Sequence, residues 1–141
     1  MCTNVNSGVP ILLGEKCAVT KFWVAMLVCA DLRRSRDFYR DVMGLKLKTD
    51  KSPHWVDFDL GNGSTLVLHP SSELLAVRPG SLQLGFTVDN VDTFVADCAS
   101  LSVPVFQDPY EETFGRIAII GDPDGYPIQI TSPSRKRRVQ A

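Results

Sequence analysis

From Phe22 to Cys29 every residue is apolar, a run whose length predicts a buried strand. Asp31 follows as a helix N-cap, and Leu32, Phe38, Tyr39 and Val42 then recur at helical spacing. Gly44 stands just past that stripe, where a left-handed cap favours glycine. After a short strand over Leu45 to Lys48, the segments Trp55 to Leu60 and Ser64 to His69 flank Gly61-Asn62-Gly63, a composition suited to a tight reversal. The order is one strand, one helix and three strands.

The same order returns at a period of roughly sixty residues. Leu82, Leu84, Phe86 and Val88 alternate with Gln83, Gly85 and Thr87, which marks a strand with unlike faces. Asp89 or Asn90 caps a second helix, whose apolar stripe is Val91, Phe94, Val95, Cys98 and Leu101. Val103 to Phe106 is a short strand. Arg116 to Gly121 and Tyr126 to Thr131 then flank Asp122-Pro123-Asp124-Gly125, with proline and glycine where a turn uses them. The fold class is α+β, built from two βαβββ modules over 22–69 and 81–131. A ferredoxin-like fold also repeats strand-helix-strand units, but each half here carries one long helix rather than two. Residues 1–21 are read as an N-terminal extension and 134–141 as a basic tail to a single domain over 22–133.

Composition narrows the partners. With 141 residues, 44% of them hydrophobic, the chain suits one core or two halves sharing one. A formal charge of -1 gives no field that would gather phosphates, so nucleic acid is not expected as a partner. The run Arg135 to Arg138 reads as a solvated tail. No stretch approaches the roughly 20 apolar residues of a membrane span, and Val9 to Leu13 lacks the flanks of a secretion signal, so a cytoplasmic protein without membrane contact is expected. Cys2, Cys17, Cys29 and Cys98 form no CxxC pair and are expected as free thiols, Cys29 and Cys98 being buried.

Three segments carry a family resemblance: Ala30-Asp31-Leu32 with Asp37-Phe38-Tyr39-Arg40-Asp41-Val42-Met43-Gly44-Leu45, then Leu84-Gly85-Phe86-Thr87-Val88, then Asp122-Pro123-Asp124-Gly125-Tyr126. In register with the paired modules, they make the chain resemble the vicinal oxygen chelate superfamily of glyoxalases, bleomycin resistance proteins and dioxygenases over about Phe22 to Pro133. The resemblance implies a curled mixed sheet around a shared cavity, and a homodimer. It also implies four inward positions that hold metal in many relatives, here occupied by Val24, Val67, Gln83 and Gln129. Valine cannot ligate, and two neutral amides do not offset the dehydration of a dication, so no metal or other cofactor is expected. Gln129 also replaces the carboxylate that would act as a general base.

Strand alternation extends the list of residues that face a ligand. If Val67 points inward, so do Thr65 and His69; with Leu60 to Gly63 as the turn, Phe58, Val56 and His54 come opposite, near His69. The two histidines read as rim residues, as ligand contacts or as an unorthodox metal pair. In the second module the same reasoning puts Arg116, Ala118 and Ile120 on the face of Gln129 and Thr131. Arg116 reads either as the partner of an acidic ligand or as a rim salt bridge to Glu111 or Glu112. Asp108 to Gly115 is expected to be a loop at the ligand mouth, with Tyr110 stacking on a ligand or packing. Trp55 and Trp23 are expected in the core, facing the helices.

These features favour reversible binding of a small organic molecule without metal. The alternative is an enzyme of the same superfamily, of lactoylglutathione lyase, isomerase or dioxygenase type, with a displaced or metal-free site. A structural or assembly role needs an exposed apolar patch, which composition does not reveal. No hydrolase nucleophile, zinc-protease or nucleotide-binding motif is present.

Overall fold

The computed structural model describes residues 17–133; the readings of residues 1–16 and of the basic tail lie outside the described residues. Module one runs β1 (Val24–Cys29), α1 (Leu32–Asp37), β2 (Lys46–Lys51), β3 (Trp55–Gly61) and β4 (Ser64–Pro70). Module two runs β5 (Leu84–Thr87), α2 (Val91–Ser100), β6 (Val105–Glu112), β7 (Gly115–Gly121) and β8 (Pro127–Pro133). Each forms a four-stranded mixed sheet, in order β1-β4-β3-β2 and β5-β8-β7-β6. The first strand of each module pairs in parallel with its last, and the remaining pairs are antiparallel.

The helices start where their caps place them. The Asp31 side chain accepts from the Arg34 amide and Asn90 from the Thr93 amide. Beyond Asp37 the first helix widens into a π-helical turn over Phe38–Val42, which turns both Phe38 and Tyr39 inward, ring edge against ring face at 5.0 Å. Gly44 closes it with a φ of 73°, in the left-handed region open to glycine.

One core spans both modules. The helix-facing residues Leu27, Tyr39, Val56, Phe58, Leu66 and Leu68 belong to the same buried cluster as Val91, Val95, Ala118, Ile120, Ile128 and Ile130. Polar contacts add a latch. The turn Asp122 to Tyr126 of module two reaches the end of β1 and the start of α1: Tyr39 donates to Asp122 at 2.7 Å, Tyr126 donates to the Val28 carbonyl at 2.9 Å, and Asp124 accepts from the Ala30 amide, Ser35 and Arg34. Asp122 also accepts the backbone amides of Asp124 and Tyr126. Burial pushes the Asp122 carboxyl above the usual carboxylate range, against the pull of these donors. The Cys29 thiol beneath the latch is pushed up to about 12 by the same desolvation, which keeps it protonated and unreactive.

Several expectations are corrected. β1 begins at Val24, and Phe22 and Trp23 are 69% and 62% exposed, so Trp23 is not core. The segment Asp108 to Gly115 is not a loop: β6 continues to Glu112 and turns through Thr113 and Phe114. β6 is an edge strand with two register shifts, which is where a strand tolerates a proline such as Pro109. Cys17, on an exposed segment before β1, is disulfide-bonded rather than free. Cys29 and Cys98 are free and buried, as expected.

Candidate functional site

Each sheet packs one face against the helices and turns the other away from them, and the strand register decides which residues share the open face. In module one that face carries Val24 and Met26 on β1, Thr65, Val67 and His69 on β4, and Trp55, Asp57 and Asp59 on β3. His69 and Trp55 meet edge to face at 6.2 Å. The Trp55 indole N–H donates to Asp57 Oδ2 at 3.1 Å, while Oδ1 of the same carboxylate is buried with no hydrogen-bond partner. Lys48 reaches the same face, 3.5 Å from the Thr65 hydroxyl.

This differs from the expected face by one residue, and the reason lies in the hairpin. Gly61 pairs with Ser64, and Asn62 and Gly63 both have positive φ, so the reversal is a two-residue turn. Leu60 is then an extra residue bulged out between Asp59 and Gly61. Were Leu60 paired in the ladder, Phe58 would oppose Val67; with Leu60 bulged out, Asp57 does. Phe58 and Val56 are therefore fully buried on the helix side. His54 sits exposed in the turn after Lys51, and it is Trp55, not His54, that meets His69.

Module two repeats the lesson. Gly121 pairs with Pro127, so the connection from Asp122 to Tyr126 holds five residues rather than four. The Asp122 carboxylate forms it by accepting the amides of Asp124 and Tyr126, which draws Tyr126 into the core. Ile119 and Ile117 consequently oppose Gln129 and Thr131, while Ala118 and Ile120 join the core. Arg116 turns to the helix side, where it binds both Asp92 oxygens, at 2.6 and 2.9 Å, and Glu111 at 3.6 Å. It borders a polar cleft of only about 50 Å³ at the start of α2. The rim reading of Arg116 is the one its geometry matches.

The open face of the second sheet presents Gln129, Thr131, Ile117, Ile119 and, from β6, Tyr110, which is 38% exposed. Gln83, one residue before β5, donates to Gln129 at 3.2 Å. Gln129 in turn donates to Thr131. A groove of about 590 Å³ connects the two modules at the level of Asp59, Leu60, Gly85, Phe86 and Thr87.

The structure thus brings Val24 and Val67 to one face, and binds Gln83 to Gln129 on another. Neither pair fits a metal ion. The valines carry no donor, and each glutamine has committed polar atoms to its neighbours. Among the described residues no group of three or more His, Cys, Asp or Glu side chains is arranged to hold a metal. Asp57 and Trp55 are the residues that sequence reasoning missed; a bulge at Leu60 has no signature stronger than a glycine beside it.

The fold and this pair of open faces define a recognised class. The family described as the Glyoxalase/Bleomycin resistance protein/Dioxygenase superfamily matches residues 22–130. The chain belongs to that superfamily. It is 28% identical over 112 residues to the phenazine antibiotic resistance protein EhpR of Enterobacter agglomerans, covering 74% of this chain and 86% of that protein. The solved structure of TnmS3, an antibiotic binding protein from a Streptomyces species, is similar with a TM-score of 0.69 and 28% identity, over 84% of this chain and 99% of that one. A lactoylglutathione lyase from Agrobacterium tumefaciens matches with a TM-score of 0.64 over 81% of this chain and 94% of its own, at 21% identity, which extends the likeness in fold alone. No helix among the described residues is long and apolar enough to cross a membrane.

Proposed function

We propose that the protein binds a small, flat organic molecule reversibly and without metal, in the manner of an antibiotic-sequestering protein. The observation that carries this reading is the content of the four family ligand positions: two valines and a hydrogen-bonded pair of amides. Such a surface offers apolar contact and neutral hydrogen bonds rather than a Lewis acid or a base, which suits binding better than enolisation. The names of two relatives at 28% identity, a resistance protein and an antibiotic binding protein, agree with it. A homodimer belongs to the same proposal. Met26 on edge strand β1 and Tyr110 on edge strand β6 are both more than a third exposed on the open faces, and a second copy laid over those faces would enclose a ligand.

The test is a thermal-shift screen with planar tricyclic antibiotics and dyes. A ligand at about 100 times its dissociation constant adds roughly 2.7 kcal/mol of stability, an easily read shift. Elemental analysis of protein purified without chelator, with light scattering on the same sample, completes it; a stoichiometric divalent metal overturns the reading. Arg116→Ala is expected to leave the dissociation constant of any hit within about twofold by calorimetric titration, since its guanidinium is engaged by Asp92 and Glu111 on the other face. A tenfold loss would return Arg116 to the binding site.

A further inference from the structure

Asp57 is the one residue among those described with a buried side-chain polar atom that lacks a partner. It is 8% exposed, in the middle strand of the open face, with Val67 opposite it on β4 and Thr49 opposite it on β2. A buried acceptor left unmade costs folding free energy, which a well-placed donor can offset. One of its oxygens is already held by the Trp55 indole, which fixes the carboxylate plane. The half-buried Trp55 ring rests against His69 beside it.

We propose that Asp57 is the anchoring acceptor of the ligand site, and that the protein selects planar aromatic ligands bearing a cationic or N–H donor and disfavours anionic ones. The proposal rests on the ligand-binding reading above and gives it a charge preference. A carboxylate in a desolvated setting attracts a cationic donor and repels an acid, so the preference is opposite to the one an inward Arg116 would have imposed. Trp55 acts as a positioning residue: its indole N–H holds Oδ2, which orients the carboxylate and leaves Oδ1 as the acceptor for a ligand donor. Lys48 lies on the same face, yet its ammonium is directed to Thr65 and it is exposed, leaving Asp57 as the buried charge.

The experiment uses three matched tricyclic probes on the full chain near neutral pH: 9-aminoacridine as the cationic donor, acridine as the neutral ring and acridine-9-carboxylate as the anion. Calorimetric titration of wild type is expected to rank them in that order, the cation at least about tenfold tighter than the anion, which corresponds to about 1.4 kcal/mol. Asp57→Asn is expected to lose at least about tenfold for the cation and to leave acridine within about twofold. Trp55→Phe, which removes the indole donor but leaves the carboxylate, is expected to keep the cation-over-anion preference, so the assignment stays testable if Asp57→Asn fails to fold. Equal binding of cation and anion by wild type, or a preference lost in Trp55→Phe, overturns the role of Asp57 while the ligand-binding reading stands. Failure of wild type to bind any of the three overturns both.

Discussion

Asp122→Ala is expected to lose about 3–5 kcal/mol of folding stability in urea denaturation. The alanine removes three hydrogen bonds at once: the Tyr39 hydroxyl and the amides of Asp124 and Tyr126 each lose their acceptor. Tyr39 is fully buried, so its hydroxyl finds no water in compensation, and an orphaned buried donor costs about 1–3 kcal/mol by itself. Total stabilities of single domains run about 5–15 kcal/mol, so the loss threatens the fold. Asp122→Asn retains an acceptor for the amides and should lose far less.

The pH dependence of the two proteins separates charge from hydrogen bonding. Burial raises the Asp122 carboxyl in the folded state, so its contribution favours folding at pH below the ordinary carboxylate range and is lost as pH rises through the raised value. Wild type should therefore gain on Asp122→Asn as pH is lowered from neutral into that range. A stability difference independent of pH would show that the carboxyl is not perturbed.

Phe58→Ala is the second large effect, at about 3–5 kcal/mol, because a fully buried aromatic removed from a close-packed core leaves a cavity as well as a lost transfer term. The variant also decides between the two registers of the β3–β4 hairpin. With Phe58 on the helix side the loss falls on stability, seen in the urea midpoint. Had Phe58 faced the ligand, the loss would fall on affinity and spare the midpoint.

The elements and their order could be read from the chain because each has a local cause: the Asp31 and Asn90 caps, the stripe of Val91, Val95 and Cys98, and the Gly44 terminator. The faces of the outer hairpins could not, because a face depends on counting residues through a turn. The bulge at Leu60 turned Phe58 to the core and Trp55 and Asp57 to the open side. One more residue in the Asp122 to Tyr126 connection moved Arg116 from the open face to the helix side. Pairs fixed by a parallel ladder or by a common strand were less vulnerable: Val24 and Val67 share one face and Gln83 bonds Gln129 on another, two pairs on two faces rather than the expected four positions around one cavity. The Asp-Pro-Asp-Gly turn gained a meaning that its composition had not suggested, as the latch between the modules.

The bulge at Leu60 also constrains how this surface can diverge between related proteins. Drawing Leu60 into the ladder opposite Thr65 would slide β3 by one position against β4, carrying Phe58 out to the ligand side and Asp57 toward the core. Deleting Leu60 would instead remove the bulge and leave Asp59 opposite Thr65 and Asp57 opposite Val67. What sets the faces is thus the exclusion of Leu60 from the ladder, and new ligand preferences are reached more readily by exchanging the side chains at Trp55, Asp57 and His69 than by altering the number of residues between them.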